Sequence, residues 1–186
     1  MKKYLFYTSM VTLMLVSGCQ NGGESIYPSA TGPISLSDLE VGNASGSISG
    51  DENFVFNGRV IGQNNATATY DDKLYRLHLI RVVNADLLDN RGFYFVFHVP
   101  ADQPSNFPPI GDIPIAPADA ALDETYVTTF IDSETTRFSA TSAVIGSVTI
   151  SESSSERLFS FDMEFSIENL TSDNGKSVSL NGALKY

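Results

Sequence analysis

The feature that most restricts the fold of this chain is the alternation of apolar and polar residues in "LFSFDMEFSIE", residues 158–168. The residues of one face are large and apolar: Phe159, Phe161, Met163, Phe165 and Ile167. Most of the intervening positions carry serine or carboxylate side chains. Because successive side chains of a β-strand point to opposite faces, we expect a strand with one face in a core and the other in water.

Similar alternation continues through most of the chain after residue 53, and no window of a dozen residues has a clear helical period. In "GFYFVFHV", residues 92–99, the predicted core face begins at Phe93 and contains every second residue. In "KLYRLHLIRVV", residues 73–83, the predicted core face begins at Tyr75. Each segment is therefore expected to be a strand with one apolar face.

Turn residues separate these segments. Asn57-Gly58 lies between two apolar runs and predicts a hairpin turn, because both residues tolerate positive φ. "AVIGSVTIS" precedes the strand at 158–168 and "SVSLNGALKY" follows it, which predicts a three-stranded meander. Strands with no helical crossovers indicate an all-β class, and we expect an antiparallel β-sandwich of roughly 8–10 strands, with a calycin-like β-barrel as the alternative.

The first residues, "MKKYLFYTSMVTLMLVSGC", have the pattern of a secretory signal peptide: two lysines, a short apolar run and small residues. A spanning helix needs about 20 predominantly apolar residues, and polar residues follow Cys19 at once. We therefore expect residues 1–18 to be removed.

The residues Val16-Ser17-Gly18-Cys19 resemble the lipobox of bacterial lipoproteins. In that family the cysteine receives a diacylglycerol and becomes the first residue of the mature chain, and its amine is usually acylated as well. The resemblance therefore implies that Cys19 is the lipidation site. Cys19 is the only cysteine, so a disulfide within one chain is impossible. Gln20 is not the aspartate that retains enterobacterial lipoproteins, which implies an outer-membrane protein facing the periplasm or the surface.

Residues 19–52 are rich in glycine and serine, and we expect a flexible, lipidated tether whose Ile34–Leu36 segment could dock as an edge strand. The β-domain then comprises residues 53–186. Without residues 1–18 the chain has 9 basic and 22 acidic residues, a net charge of −13. This balance opposes nucleic acid and anionic lipid as partners.

Two histidines are the candidate metal ligands. If residues 73–83 and 92–99 pair as a hairpin centred near Leu88, His78 lies directly opposite His98. Such neighbours have Cβ atoms about 5 Å apart, close enough to share a metal ion. A functional zinc site needs three or four ligands, so a solvated or packed face is the ordinary explanation and no metal cofactor is predicted.

The segment from Pro100 to Pro117 contains six prolines, which exclude a central strand. Long loops of this kind are often lids or binding loops, so it is the best candidate for an interaction surface. Its apolar side chains are the candidate contacts: Phe107, Ile110, Ile113 and Ile115. The alternative is that they cover one open end of the fold.

Other chemistry has weak support in the sequence. The pair Asp71-Asp72 lacks the ligand spacing of a calcium loop and suits a turn better. There is no G-x-S-x-G nucleophile motif, and 22 carboxylates by themselves do not define a glycosidase pair. The chain has no tryptophan, so carbohydrate binding is not favoured. We therefore predict no catalytic residues and no enzyme.

The C-terminal pattern of "SVTI", a polar turn, "FSFDMEFSI" and "DNGKSVSLNGAL" resembles small lipoprotein domains of unknown function from Bacteroidetes-type bacteria. That resemblance implies an all-β fold and no catalytic residues. The sequence thus predicts a lipid-anchored, non-enzymatic binding or scaffolding module of the cell envelope, without cofactor, whose partner is an envelope protein or glycan. A small-ligand carrier in a barrel, or a fimbrial or adhesin-type subunit, is the alternative.

Overall fold

The computed structural model of the chain describes residues 33–84, 91–103, 107, 109–153 and 160–186. A short 3-10 helix, Leu36–Asp38, precedes the strands of this described part. The strands are β1 (Asn43–Gly50), β2 (Phe54–Tyr70), β3 (Lys73–Asn84), β4 (Gly92–Pro100), β5 (Gly111–Pro114), β6 (Tyr126–Asp132), β7 (Arg137–Ser139), β8 (Ile145–Glu152), β9 (Phe161–Thr171) and β10 (Ser177–Lys185).

Eight of these strands form a closed antiparallel barrel in the order β1-β2-β3-β4-β6-β7-β9-β10. The ring closes because β10 pairs with both β1 and β9. β7 meets β9 only at Ser139 and Thr171, and the wall beside β9 is continued by β8 and β5. The predicted all-β class is confirmed, and the sheet forms the alternative barrel architecture instead of an open sandwich.

Aromatic rings fill the middle of the barrel. Phe56 and Phe93 have ring centroids 4.5 Å apart, and Phe165 lies 5.0 Å from Phe95. Burial of a phenylalanine contributes on the order of 2 kcal/mol, so this cluster is a principal source of stability. The predicted inward faces of β4 and β9 are confirmed over the described residues, where Phe93, Phe95, Phe97 and Met163 are buried.

The C-terminal meander is also confirmed. β8 pairs with β9 and β9 pairs with β10, both antiparallel. Val178, Leu180 and Leu184 of β10 are buried on one face, as the alternation in "SVSLNGALKY" predicts. The strand at 158–168 begins at Phe161 among the described residues, and Phe159 lies outside them.

The Asn57-Gly58 pair does not form a turn, so that prediction is wrong. Both residues lie inside β2, which is 17 residues long and pairs first with β1 and then with β3. A Cβ atom at Gly58 would meet the carbonyl oxygen of Val83 and would lie 2.9 Å from Val82 Cγ1. Glycine is needed here because two strands approach closely, and not because the backbone reverses.

The domain begins before residue 53, so the predicted extent of the tether is wrong for β1. Residues 43–50 pair with β2 and β10, in spite of their glycine and serine content. The ring of Phe56 lies over Gly46, where an added Cβ would be 2.5 Å from Phe56 Cζ. Small residues form a strand here because the aromatic rings of neighbouring strands occupy the space above them. The Ile34–Leu36 segment is not an edge strand; Leu36 begins the 3-10 helix instead.

Alternation alone assigned the wrong face of β3 to the core. Ile80 and Val82 point into the barrel with the phenylalanines of β4, whereas Tyr75 and Leu77 point outward. Tyr75 is nevertheless fully buried, because a second, smaller apolar cluster lies outside the barrel wall. Both faces of β3 are therefore covered at this end of the strand.

Candidate functional site

An open cleft of about 440 Å³ lies at the end of the barrel that contains the β2–β3 turn, which we call the upper end. The residues that line it are Asp72, Lys73, Leu74, Pro100, Ala101, Asp102, Leu122 and Asp123. They come from the start of β3, the end of β4 and the segment that leads into β6. The cleft thus combines apolar walls with carboxylates and one ammonium group.

The β2–β3 turn positions the first wall of the cleft. Asp71 and Asp72 have φ values of 46° and 63°, the left-handed conformation that two-residue hairpin turns require. Aspartate tolerates this region better than most residues, which explains the Asp-Asp sequence. The prediction that these carboxylates serve a turn is confirmed.

Side-chain hydrogen bonds tie the walls of the cleft together. Lys73 Nζ donates to the carbonyl oxygen of Ala121 at 2.8 Å and pairs with Asp123 Oδ1 at 2.7 Å. Arg76 Nη2 donates to the carbonyl oxygen of Gln103 at 2.6 Å, and Gln103 Nε2 donates to that of Asp123 at 2.9 Å. The hydrogen bond from Lys73 to Asp123 raises the pKa of the lysine, which keeps its positive charge. The cleft is therefore shaped by contacts that exist before any ligand binds.

An aromatic cluster, which we define as Tyr70, Tyr75, His98 and Tyr126, packs beneath one wall of the cleft. Its rings are close: His98 is stacked on Tyr126 with centroids 4.4 Å apart, and Tyr75 lies 5.7 Å from Tyr126. Tyr75 Oη donates to the carbonyl oxygen of Leu122 at 2.7 Å. Tyr126 Oη donates to that of Ala120 at 2.5 Å. Two tyrosine hydroxyls thus hold the segment of residues 120–122 against the barrel.

His98 is the least satisfied member of the aromatic cluster. Its side chain is 1% exposed, and neither Nδ1 nor Nε2 has a hydrogen-bond partner. Burial lowers the pKa of His98 to about 4, because the charged imidazolium would lose its hydration. Burial also raises the pKa of Tyr75 and that of Tyr126, so both phenols stay neutral in acid and at neutral pH.

The predicted register of the histidines is wrong. His78 lies opposite Phe97, and His98 lies opposite Leu77, one residue from the predicted pairing. A shift of one residue moves a side chain to the other face of a sheet. His78 therefore points into the barrel and His98 points outward, so the two cannot share a metal ion. The described residues contain no group of three or more potential ligands arranged to hold a metal.

The described candidate side chains of the proline-rich segment mostly pack against the barrel. Phe107 stacks on His78 with ring centroids 4.1 Å apart and an interplanar angle of 9°. Ile113 is buried in β5, and Ile115 is half-buried and pairs with Val127. Only Ile110 of the four candidates is largely exposed, at 57%. The side chains at 107, 113 and 115 belong to or pack against the main core, and a partner for this segment stays a prediction.

The residues that build the cleft could not be predicted from the alternation of apolar and polar residues. Lys73 and Asp123 are 50 positions apart, and no local pattern connects them. The Asp71-Asp72 turn was the one local feature that could have pointed to the cleft, because it marks the start of β3, where Lys73 lies. Cys19, the predicted lipidation site, lies outside the described residues.

The form of the barrel bears on the two alternative functions. A carrier would hold its ligand inside the barrel, but the packed rings of Phe56, Phe93, Phe95 and Phe165 occupy the middle. A strand-accepting subunit would leave a gap in the sheet, but β9, β10 and β1 close the ring among the described residues. Neither alternative gains support from this arrangement.

Across the described ranges, no helix has the length and apolarity needed to cross a bilayer. Comparison with known proteins adds no family: no protein-family model, no curated protein and no solved structure gives a significant match to this chain.

Proposed function

We propose that this chain is a lipid-anchored protein of a bacterial cell envelope whose barrel is a non-enzymatic binding module. The anchor is the acylated Cys19, proposed from the lipobox resemblance and from the signal-peptide pattern that precedes it. The protein would be held in the outer membrane and would face the periplasm or the cell surface. Its partner would be an envelope protein or glycan, and no cofactor takes part.

The observation that supports binding is the preformed cleft at the upper end. Binding sites combine apolar surface with a few fixed polar groups, and this cleft has both. Leu74, which is 50% exposed, supplies apolar area, while Lys73 and Asp102 supply charges of opposite sign. The cross-wall hydrogen bonds of Lys73 and Arg76 reduce the ordering that a partner must impose.

A photo-crosslinking experiment in the native organism tests the binding function. The photoreactive residue benzoylphenylalanine replaces Leu74 in the full chain, and a matched variant carries it at Ile145. Ile145 is a suitable control because it is 60% exposed and lies on β8, away from the cleft. We expect one discrete envelope adduct from position 74 and none from position 145. Equal labelling at the two positions, or none at either, would contradict a partner in the cleft.

A fractionation experiment tests the anchor separately. Cys19→Ser removes the thiol that receives the diacylglycerol, so we expect the protein to leave the outer-membrane fraction. Unchanged association of the Cys19→Ser chain with the outer-membrane fraction after a wash at high salt, which removes electrostatic contacts, would contradict the lipid anchor while leaving the cleft proposal untouched.

A further inference from the structure

Charge is distributed very unevenly around the barrel. The strands β2, β3 and β4 contain no aspartate or glutamate, although the whole chain has 22 acidic residues. On the outer surface of these strands lies a patch that we call the arginine face, formed by Arg59, Ile61, Leu79, Arg81, Tyr94 and Val96. The excess negative charge of the protein is therefore carried elsewhere.

The arginine face is both cationic and apolar. Arg59 and Arg81 are exposed, and Ile61, which pairs with Arg81 across the strands, is 49% exposed. The guanidinium of Arg81 lies 5.4 Å from the ring centroid of Tyr94 on the next strand. Arginines beside aromatic and aliphatic side chains are the composition found where proteins contact the interface of a bilayer.

Among the described residues, the carboxylates nearest this face are neutralised or lie beyond it, whereas Asp86 and Asp89 of the β3–β4 connection lie outside the described residues. Asp132 of β6 accepts two hydrogen bonds from Arg137, at 2.6 and 2.9 Å. Asp71 and Asp72 lie in the turn at the upper end, past the last residues of the strands. Of the described residues, Arg59 and Arg81 are therefore the charged side chains within the arginine face.

The opposite side of the barrel is acidic. β9 is four strands from β3 in either direction around the ring, and its outward positions include Asp162, Glu164 and Glu168. Asp112 of β5 extends this row, because it pairs with Thr149 of β8, which in turn lies opposite Glu164. Near an anionic surface, such a charge separation orients the barrel with the arginine face toward that surface.

The N-terminal segment joins the barrel beside the arginine face. The amide of Ile34 donates to Ser45 Oγ at 2.7 Å, and Ser45 Oγ donates to Asn57 Oδ1 at 2.6 Å. Asn57 points outward from β2, two residues before Arg59. The 13 residues between Cys19 and Pro33 can span at most about 45 Å, which is enough to let this side rest on lipid but keeps the barrel near it.

We propose that the arginine face docks on anionic phospholipid headgroups, so that the barrel lies on the same membrane that holds the lipid anchor. The proposal rests on the proposed function for the anchor, but its surface contacts are independent of the cleft. The net charge of −13 of the chain without residues 1–18 opposes such contact when it is treated as a single point charge. The separation of the two charged faces removes that objection, because interactions with a surface weaken over a Debye length of about 8–10 Å.

A tryptophan reporter tests this docking directly, because the chain contains no tryptophan of its own. The full mature lipoprotein carries either Ile61→Trp on the arginine face or Ile145→Trp on the acidic side, where Ile145 pairs with Glu168. Each variant is reconstituted in vesicles of phosphatidylglycerol and brominated phosphatidylcholine, or of brominated phosphatidylcholine alone. The bromine atoms quench tryptophans that reach the bilayer, and both original side chains are exposed, so both variants should fold.

We expect quenching and a blue shift of the Ile61→Trp emission in vesicles with phosphatidylglycerol, and much less without it. The Ile145→Trp emission should change in neither. An Ile61→Trp emission that vesicles of both compositions leave unchanged would overturn the proposal, and it is the result expected if this face binds an acidic protein instead. Equal quenching of the two variants would overturn it as well.

Charge variants measure the electrostatic part of the docking. An arginine near an anionic membrane contributes about 1 kcal/mol, so Arg59→Gln and Arg81→Gln should each lower the docked-to-free ratio roughly fivefold. The matched control is Lys176→Gln with Lys185→Gln, which changes the net charge equally but lies outside the arginine face. If the two arginine substitutions together and the two lysine substitutions together lowered the docked-to-free ratio equally, a specific docking face would be refuted. Raising the salt concentration to about 1 M, which shortens the Debye length to about 3 Å, should release the arginine face of the Ile61→Trp chain, whose two arginines are intact, and relieve its quenching.

The mass of the N-terminal peptide from the same samples separates the two proposals. An acylated chain whose Ile61→Trp is not quenched would keep the anchor and refute the docking. An unmodified chain whose Ile61→Trp is quenched when vesicles are added would refute the anchor and keep the docking.

Discussion

Acid should destabilise this protein through one buried histidine. His98 is 1% exposed, is stacked on Tyr126 and has no hydrogen-bond partner at either ring nitrogen. The hydroxyls of Tyr75 and Tyr126 donate to the backbone carbonyl oxygens of Leu122 and Ala120, and neither is hydrogen-bonded to the imidazole of His98. The folded protein therefore has to keep His98 neutral or break this packing.

The sign and size of the effect follow from proton linkage. The pKa of His98 is about 4 in the folded chain and 6.5 in an unfolded one. Between these values the unfolded state binds the extra proton, so stability is complete above pH 6.5 and is lost as the pH falls toward 4. At about 1.4 kcal/mol per pKa unit, the total loss is about 3 kcal/mol.

The variant His98→Phe isolates this contribution, because phenylalanine can keep the stack on Tyr126 and cannot titrate. Urea denaturation at several values between pH 7.5 and 4 should show that wild type loses about 3 kcal/mol more than His98→Phe. At pH 7.5 the variant should be at least as stable as wild type, since two unsatisfied buried nitrogens are gone. His78→Phe is the matched control and should keep the wild-type loss that is due to His98. Parallel pH profiles of wild type and His98→Phe would refute the reasoning.

Two further predictions concern packing. Phe107→Ala removes the stack on His78 and the contacts with Phe97 and Phe161. In the same denaturation assay it should lower the free energy of unfolding by about 2 kcal/mol. The exposed neighbour is the control, because Ile110→Ala should change the free energy of unfolding by less than about 0.5 kcal/mol. Similar effects of the two variants would mean that Phe107 does not close the barrel. Gly46→Ala places a Cβ against Phe56 and the carbonyl oxygen of Asn181, and should lower the free energy of unfolding by about 1–3 kcal/mol. Ser47→Ala is the control and should leave the stability unchanged. A urea midpoint of Gly46→Ala equal to that of wild type would contradict the close packing of β1.

Local alternation was sufficient to predict the strands whose two faces differ. β9 has carboxylates on one side and large apolar residues on the other, so its orientation could be predicted from residues 161–168 alone. β3 could not be oriented in this way, because Tyr75 and Leu77 on its outer face are covered by residues 116–122. Which apolar face meets the main core depends on a contact far away in the sequence.

The pairing register of β3 with β4 and the presence of β1 also could not be predicted from local sequence patterns. The histidine prediction failed by one residue, since the centre of the hairpin between β3 and β4 cannot be fixed from the sequence of its turn. β1 could not be recognised from its glycine and serine composition. Its packing depends on the ring of Phe56 over Gly46, and on the ring of Phe165 over Gly182 of the neighbouring strand β10. The cleft depends on pairs such as Lys73 and Asp123, which only the closed barrel brings together.

The measurement that tests the account most directly is intact-protein and N-terminal peptide mass spectrometry of the chain extracted from the envelope of its native bacterium. We expect a mature protein that begins at Cys19 and carries a diacylglycerol on its sulfur, with a further acyl chain on its amine. A mature chain that begins at another residue, or an unmodified Cys19, would contradict the lipid-anchored function.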